Sequence, residues 1–194
     1  MPQQQQEGND FKRNFNIAFS FLVMHQRALT IPMRNRYGLQ ALGVPCALAV
    51  VLMALWAAFS YDPFMWLWLG IWLLFFVKRR LESLRLNWNG VRVHSQYDGF
   101  PFDAIRLGRT ENVAKLVVEP ILIGILGSLV YWLYAQAHMS PYGLPYFLLA
   151  GVFTLPFVEM AKQTIWQKRT QAMLDARLEQ EQTMRSFRSK FGGN

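Results

Sequence analysis

The hydrophobic residues of this chain are gathered into four long runs, at positions 39–60, 61–77, 116–137 and 144–161. A helix needs about 20 apolar residues to cross the hydrocarbon layer of a bilayer, and roughly 17–25 are tolerated. All four runs fall within this range, the second at its lower limit. The pattern therefore predicts four transmembrane helices that form two hairpins.

The composition agrees with this interpretation. Hydrophobic residues make up 53% of the 194-residue chain and charged residues only 16%, whereas soluble domains carry about 25% charged residues. A soluble protein with so much apolar surface would need a larger polar shell than these charges provide. The predicted fold class is an all-α integral membrane protein, with an N-terminal interfacial helix and a cytoplasmic C-terminal helix beside its four spans.

The basic residues predict how the spans are oriented. All 20 Lys and Arg residues lie before the first run, between the second and third, or after the fourth, and the connections at 60–65 and 137–146 contain none. Lys and Arg are enriched in cytoplasmic loops. We therefore expect a multi-pass protein of a bacterial inner membrane, with both termini and the central segment in the cytoplasm.

The position of the basic residues beside the spans also explains the net charge of +8. Basic residues next to the spans are attracted to anionic lipid headgroups, so the bilayer is the first expected partner. Nucleic acid is not expected, because no basic motif is interleaved with aromatic residues that could stack on bases.

The N-terminal region has a helical pattern that is too short to span a membrane. From Phe11 to Phe19, phenylalanine recurs at every fourth position, which is helical spacing. The apolar core covers only 15–24 and has basic residues on both sides. We predict an interfacial helix in the cytoplasmic headgroup plane, ending near Pro32. The alternative is a helix that binds in the groove of a partner protein.

These features divide the chain into six predicted segments. They are a mobile polar N-terminus (1–10), an amphipathic interfacial segment (11–37), a first transmembrane hairpin (38–79), a cytoplasmic loop (80–113), a second transmembrane hairpin (114–162) and a basic cytoplasmic helical tail (163–194).

The central loop allows two interpretations around Asn89 and Gly90. Alternating apolar and polar residues on both sides predict a β-hairpin with a tight turn. A helix that extends from the second run and ends at Gly90 fits the same residues.

A group of polar residues later in the loop has two interpretations. It is a candidate partner-binding site or proton relay, and the alternative is a solvated turn, in which such residues are common. Its members are His94, Tyr97, Asp98 and Asp103.

Four ionisable residues lie inside or at the ends of the third and fourth runs. Glu119 follows Lys115 by one helical turn, and Glu159 precedes Lys162 by one turn. Ionisable residues within spans usually face the bundle interior and pair with one another. We predict an intramembrane polar cluster of these four residues, in which Glu119 pairs with Lys115 or Lys162 and clamps the hairpin. The alternative is a pathway for protons or ions.

Small residues on the same two runs predict close helix packing. Gly124, Gly127 and Ser128 lie on the third run and Gly151 on the fourth. Small residues allow the backbones of two helices to approach closely. This predicts packing of the third helix against the fourth within one chain, and self-association of two chains is the alternative.

The sequence contains no recognised catalytic or cofactor-binding motif, such as HExxH, CxxC, GxSxG or GxxxxGK, and its single cysteine, Cys46, is isolated. We therefore predict no catalytic residue, no metal site and no cofactor.

The predicted function is a non-catalytic subunit or scaffold of a larger membrane assembly, of the transport or secretion type. It would bind other membrane-protein subunits through its basic cytoplasmic loop and tail, and self-association is a further alternative. The alternative is a homo-oligomeric channel or membrane effector in which Glu119 and Glu159 face a pore.

Overall fold

A computed structural model describes residues 2–91, 97–101, 107 and 110–191. These residues form helices and their connections. The helices are α1 (Pro2–Thr30), α2 (Val44–Ser60), α3 (Pro63–Trp88), α4 (Glu111–Gln136) and α5 (Leu144–Phe191). The described residues contain no strand, only one isolated antiparallel bridge between Asn35 and Phe100. The predicted all-α class is confirmed.

The chain divides into two compact units, Met1–Val158 and Glu159–Asn194. The first contains the hydrophobic core, to which all five helices contribute. Its fully buried side chains include Leu29, Met53, Trp72, Ile123 and Phe147. The described residues of the second unit, 159–191, belong to α5, and residues 164–187 are exposed.

Two of these helices, α4 and α5, are long and apolar enough to cross a membrane, as judged by length and composition. Their most apolar stretches have mean hydropathies of 2.0 and 1.6. The helix α2 is apolar but has only 17 residues. It begins at Val44 instead of Leu39 because Pro45 occupies its first turn. Proline is preferred in the first turn of a helix, because the backbone N–H that it lacks would have no partner within the helix at that position.

The helix α1 differs from the predicted interfacial segment at both ends. It begins at Pro2, within the region predicted to be mobile. Its last residues, from Gln26 to Thr30, are each at most 4% exposed. A helix that lies in the headgroup plane keeps one face against water, so the interfacial interpretation does not hold for this end of α1, which belongs to the core.

The end of α3 decides between the two interpretations of the central loop. The helix continues to Trp88, and Gly90 adopts a φ of +75°. The N–H of Val91 binds the carbonyl of Leu86 (3.0 Å) and the N–H of Gly90 binds that of Asn87 (3.1 Å). These two bonds form a Schellman motif, which ends helices at glycine. The helix interpretation is confirmed and the β-hairpin prediction was wrong.

Candidate functional site

The carboxylate of Glu119 forms a buried, two-pronged ion pair with Arg34. The Nε of Arg34 lies 2.8 Å from Oε1, and Nη2 lies 2.5 Å from Oε2. The two side chains are 1% and 0% exposed. The sequence predicted Lys115 or Lys162 as the partner of Glu119, and the structure corrects this pairing. The planar guanidinium offers two parallel N–H donors to one carboxylate, which an ammonium group does not.

Lys115 has its own partners nearby. Its Nζ lies 2.6 Å from Oε1 of Glu111, one turn earlier on α4, and 5.0 Å from the centre of the Tyr97 ring. The hydroxyl of Tyr97 donates to the same carboxylate oxygen of Glu111 at 2.7 Å. The side chain of Lys115 is 6% exposed, so its charge is compensated inside the protein.

A second arginine, Arg27 near the end of α1, forms an ion pair with Asp98. The backbone carbonyl of Asp98 also accepts a hydrogen bond from Nη1 of Arg34 at 3.3 Å. The guanidinium of Arg27 lies 5.7 Å from the centre of the Tyr37 ring, over its face, where a cation is stabilised by the π electrons. Asp98 is thus an internal partner of two arginines, and its interpretation as a solvated turn residue was wrong.

Together these residues form what we call the ionic cluster: Arg27, Arg34, Asp98, Glu111, Lys115 and Glu119. Among the described residues, each cation in it forms an ion pair with a carboxylate. Burying an isolated charge is very costly, and pairing with further hydrogen bonds offsets much of that cost. Through these ion pairs the cluster joins α1, α4 and the central loop to one another.

Local sequence explains how α4 presents Glu119. Thr110 caps the helix by accepting a hydrogen bond from the N–H of Val113 at 3.4 Å. The turn from Ala114 to Val118 is a π-helix, and the N–H of Glu119 binds the carbonyl of Ala114. This wider turn immediately precedes Pro120, which cannot donate a backbone hydrogen bond. Such single π-turns within α-helices are frequent at functional sites.

The connection from α1 to α2 is tied to its neighbours at the same end of the first unit. The hydroxyl of Tyr37 donates to the carbonyl of Thr30 (2.9 Å), and Ser83 of α3 donates to the carbonyl of Tyr37 (2.9 Å). Burial raises the pKa of the Tyr37 hydroxyl well above its ordinary value, so the group stays protonated and remains a donor. Gly99 packs against the Tyr37 ring with a φ of +82°, a conformation that glycine adopts easily.

The other predicted site residues are distributed as follows. Of the predicted partner loop, Tyr97 and Asp98 belong to or adjoin the ionic cluster, while His94 and Asp103 lie outside the described residues. Glu159 is 7% exposed and, like Lys162, belongs to the second compact unit. The grouping of these two with Lys115 and Glu119 remains a prediction.

The predicted small-residue positions bring helices close together. A Cβ added at Gly124 would lie 3.2 Å from Val152, and one at Gly127 would lie 3.1 Å from Leu149, so α4 packs closely on α5 along this stripe. Gly151 faces Leu29 of α1 and Ile123 of α4. The remaining position, Ser128, is exposed.

A second polar site was not found from the sequence. It lies where α3 and α5 begin and α4 ends. The buried carboxylate of Asp62 accepts hydrogen bonds from the N–H of Phe64 (3.0 Å), the hydroxyl of Tyr134 (2.8 Å) and the N–H of Leu144 (2.7 Å). One side chain therefore caps two helices, α3 and α5, and binds a third.

Arg27 and Arg34 were the other residues that sequence reasoning missed, because they were counted only as orienting charges. The sequence did contain a signal that these arginines could be buried. They flank the apolar stretch ALTIPM, from Ala28 to Met33. Arginines that flank such a stretch are candidates for buried ion pairs.

Among the described residues, no group of three or more His, Cys, Asp or Glu side chains could hold a metal ion. A cavity of about 420 Å³ lies at the far end of α2, where its lining includes Leu52, Trp56 and Phe59. It shares no residue with the ionic cluster.

Comparisons of the chain with protein-family models, curated proteins and solved structures found no match.

Proposed function

We propose that this protein is a non-catalytic subunit or scaffold of a larger membrane assembly, of the transport or secretion type, whose helices α2 to α5 cross the bilayer. The surface of the first unit supports the crossing. Large apolar side chains on each of these helices are at least half exposed, among them Val51, Leu74, Ile125 and Phe153. Contiguous exposed apolar surface is rare on soluble monomers, and lipid would cover it.

The proposed orientation follows from the basic residues. The loop after α3 and the tail after residue 161 carry clusters of Lys and Arg, whereas the two short turns at 60–62 and 137–143 carry none. Positive charge beside spans favours the cytoplasm. The central loop and the tail therefore face the cytoplasm in this proposal.

The observation that carries the partner-binding proposal is the second compact unit. Residues 164–187 of α5 are exposed, and they include large apolar side chains. Trp166, Met173, Met184 and Phe187 lie on one broad face when a turn of 3.6 residues is applied. Exposed aromatic and Met side chains are enriched at protein interfaces, so we assign the binding of other subunits to this face.

The central loop is a weaker candidate for the same role. Tyr97 and Asp98, the two members of the predicted partner loop that the structure describes, have partners within the protein. The channel alternative also has less support, because the Glu119 carboxylate is fully buried against Arg34. A pore-lining carboxylate has to face water or ions.

The tail assignment can be tested by native mass measurement after gentle detergent extraction. The wild-type chain has a mass of 22.6 kDa and should be recovered within a larger complex that contains other chains. A variant lacking residues 164–194 should be recovered without them. Complexes made only of multiples of the chain would favour the homo-oligomeric alternative.

A second measurement locates the binding face. A photoreactive amino acid at Met173 or Met184 should cross-link to another subunit, while the same group at Gln182, on the opposite side of the helix, should do so much less. Equal cross-linking at all three positions, or none at any, would contradict the assignment of this face.

A further inference from the structure

The contacts of α1 show the direction in which it runs through the first unit. The ring of His25 packs edge-on against Phe147 of α5, with ring centres 4.6 Å apart, and its Nε2 lies 2.9 Å from the Phe147 carbonyl. One turn later on both helices, Leu29 packs against Gly151. Because the contacts advance together by four residues, α1 runs parallel to α5.

Contacts with α3 show the same direction. The indole N–H of Trp72 donates to the carbonyl of Arg27 at 3.3 Å, and Ser83 donates to the carbonyl of Tyr37 at 2.9 Å. Residue numbers again rise together along α1, its following connection and α3. The chain then reaches the ionic cluster, where Arg34 binds Glu119 near the start of α4.

The Asp62 site marks the end at which α3 and α5 both begin. Asp62 binds the N–H of Leu144, and Phe147 follows three residues later. His25, which contacts Phe147, therefore lies within about one turn of that end. The part of α1 before His25 is helical from Pro2 and corresponds to about 35 Å of helix at 1.5 Å per residue, so it extends past the two short turns.

We infer that the chain enters the bundle from the side of the two short turns at the C-terminal end of α1, and that this end of α1 and the connection to α2 pass through the bilayer, which places the N-terminus on that side. This inference rests on the proposed membrane crossing. It replaces the expectation that the N-terminus shares a side with the central loop. The exposed side chains of Phe15, Ile17 and Phe21 then lie beside the bilayer surface of that side, where aromatic residues are favoured.

The charges of α1 are compatible with this path. Arg27 and Arg34 are neutralised within the bundle by Asp98 and Glu119, so they need not remain in water. Of the basic residues before the first run, only Lys12 and Arg13 would lie on the side of the short turns. Orientation follows the overall Lys and Arg bias of the loops, and that bias is still strongly toward the central loop.

Cysteine labelling tests the inference in the full-length protein. In a Cys46→Ala background, single cysteines replace Asn14, Ser140 in the second short turn, or Asn87 at the end of α3; all three positions are exposed. Sealed vesicles of known orientation are treated with a membrane-impermeant maleimide from one side. Asn14→Cys should be labelled from the same side as Ser140→Cys and protected on the side that labels Asn87→Cys.

The possible outcomes separate this inference from the proposed function. Labelling of Asn14→Cys together with Asn87→Cys, or only after detergent is added, would overturn the inference while leaving the membrane crossing intact. Labelling of Ser140→Cys and Asn87→Cys from the same side would overturn both. The wild-type protein gives an independent readout, because trypsin should cut at Lys12 or Arg13 only when it is applied from the side of the short turns.

Discussion

At the scale of single residues, the stretch KLVVEPILIGILG (115–127) carries a carboxylate into an otherwise apolar helix. The structure supplies the reason, because Glu119 binds the buried guanidinium of Arg34 through both carboxylate oxygens. Neither residue is tolerated alone in this environment, since each would leave a charge without a partner. The pair therefore joins α4 to the connection after α1, whereas the sequence predicted a pair of Glu119 with Lys115 or Lys162 that clamps the hairpin.

Replacing Glu119 by Gln should destabilise the protein strongly, because it leaves the Arg34 charge buried and unpaired. Breaking a buried ion pair in this way typically costs about 3–5 kcal/mol. The double variant Glu119→Gln/Arg34→Met should recover part of this loss. The measurement is the free energy of unfolding of the purified protein in detergent.

Glu181→Gln is the control, because Glu181 is 49% exposed and its partner Arg177 is 77% exposed, and exposed pairs contribute about 1 kcal/mol or less. Strictly additive effects in the Arg34 and Glu119 variants would contradict a direct coupling between the two residues.

At the scale of the helices, the contact between α4 and α5 depends on glycines in α4. Gly124 and Gly127 allow Val152 and Leu149 to approach the backbone of α4 to van der Waals distance. In a membrane, where lipid removes the hydrophobic drive for helices to associate, this close packing is a main source of stability.

Gly127→Leu should therefore separate α4 from α5, since a Cβ alone would already lie 3.1 Å from Leu149 and 3.2 Å from Leu148. Overpacking of this kind costs about 1–3 kcal/mol. Gly70→Leu is the control, because a Cβ at Gly70 of α3 meets no atom within 4 Å. It should leave the unfolding free energy unchanged or raise it by about 1 kcal/mol through helix propensity.

The melting temperatures of the two glycine variants in detergent check this prediction. Equal destabilisation by both substitutions would show that the loss comes from the added leucine and not from the α4–α5 contact. The native mass of each variant should also be recorded, because loss of oligomers in Gly127→Leu alone would instead favour self-association through this stripe.

At the scale of the whole molecule, the chain divides into two compact units, and the proposed function assigns partner binding to the second. The first unit contains the hydrophobic core, the ionic cluster and the Asp62 site. The described residues of the second unit lie on α5, where residues 164–187 are exposed, and an exposed helix contributes little to stability without packing.

Removal of residues 164–194 should therefore change the unfolding free energy of the remaining protein by no more than about 0.5 kcal/mol, as expected for changes away from packed or hydrogen-bonded groups. The unfolding curves of wild-type and shortened protein in the same detergent test this. A large loss of stability would show that the tail packs onto the protein and is not reserved for partners.

Hydrophobic runs and helix signals determined which parts of the chain are helical. The end of α4 and the start of α5 match the end of the third apolar run and the start of the fourth, since the positions of apolar residues, proline and glycine act locally. The close packing of Gly124 and Gly127 was also anticipated, because small residues at helical spacing have few other uses.

Tertiary structure alone decided which charges meet and where α1 runs. Glu119 and Arg34 are separated by 85 positions, and spacing rules within one helix could propose only neighbours such as Lys115. The site around Asp62 was not predicted because its partners, Tyr134 and Leu144, lie on other helices, far along the chain. The apolar core of α1 was too short to indicate a span. Arg27 and Arg34 can be buried only because the fold brings the carboxylates of Asp98 and Glu119 to them.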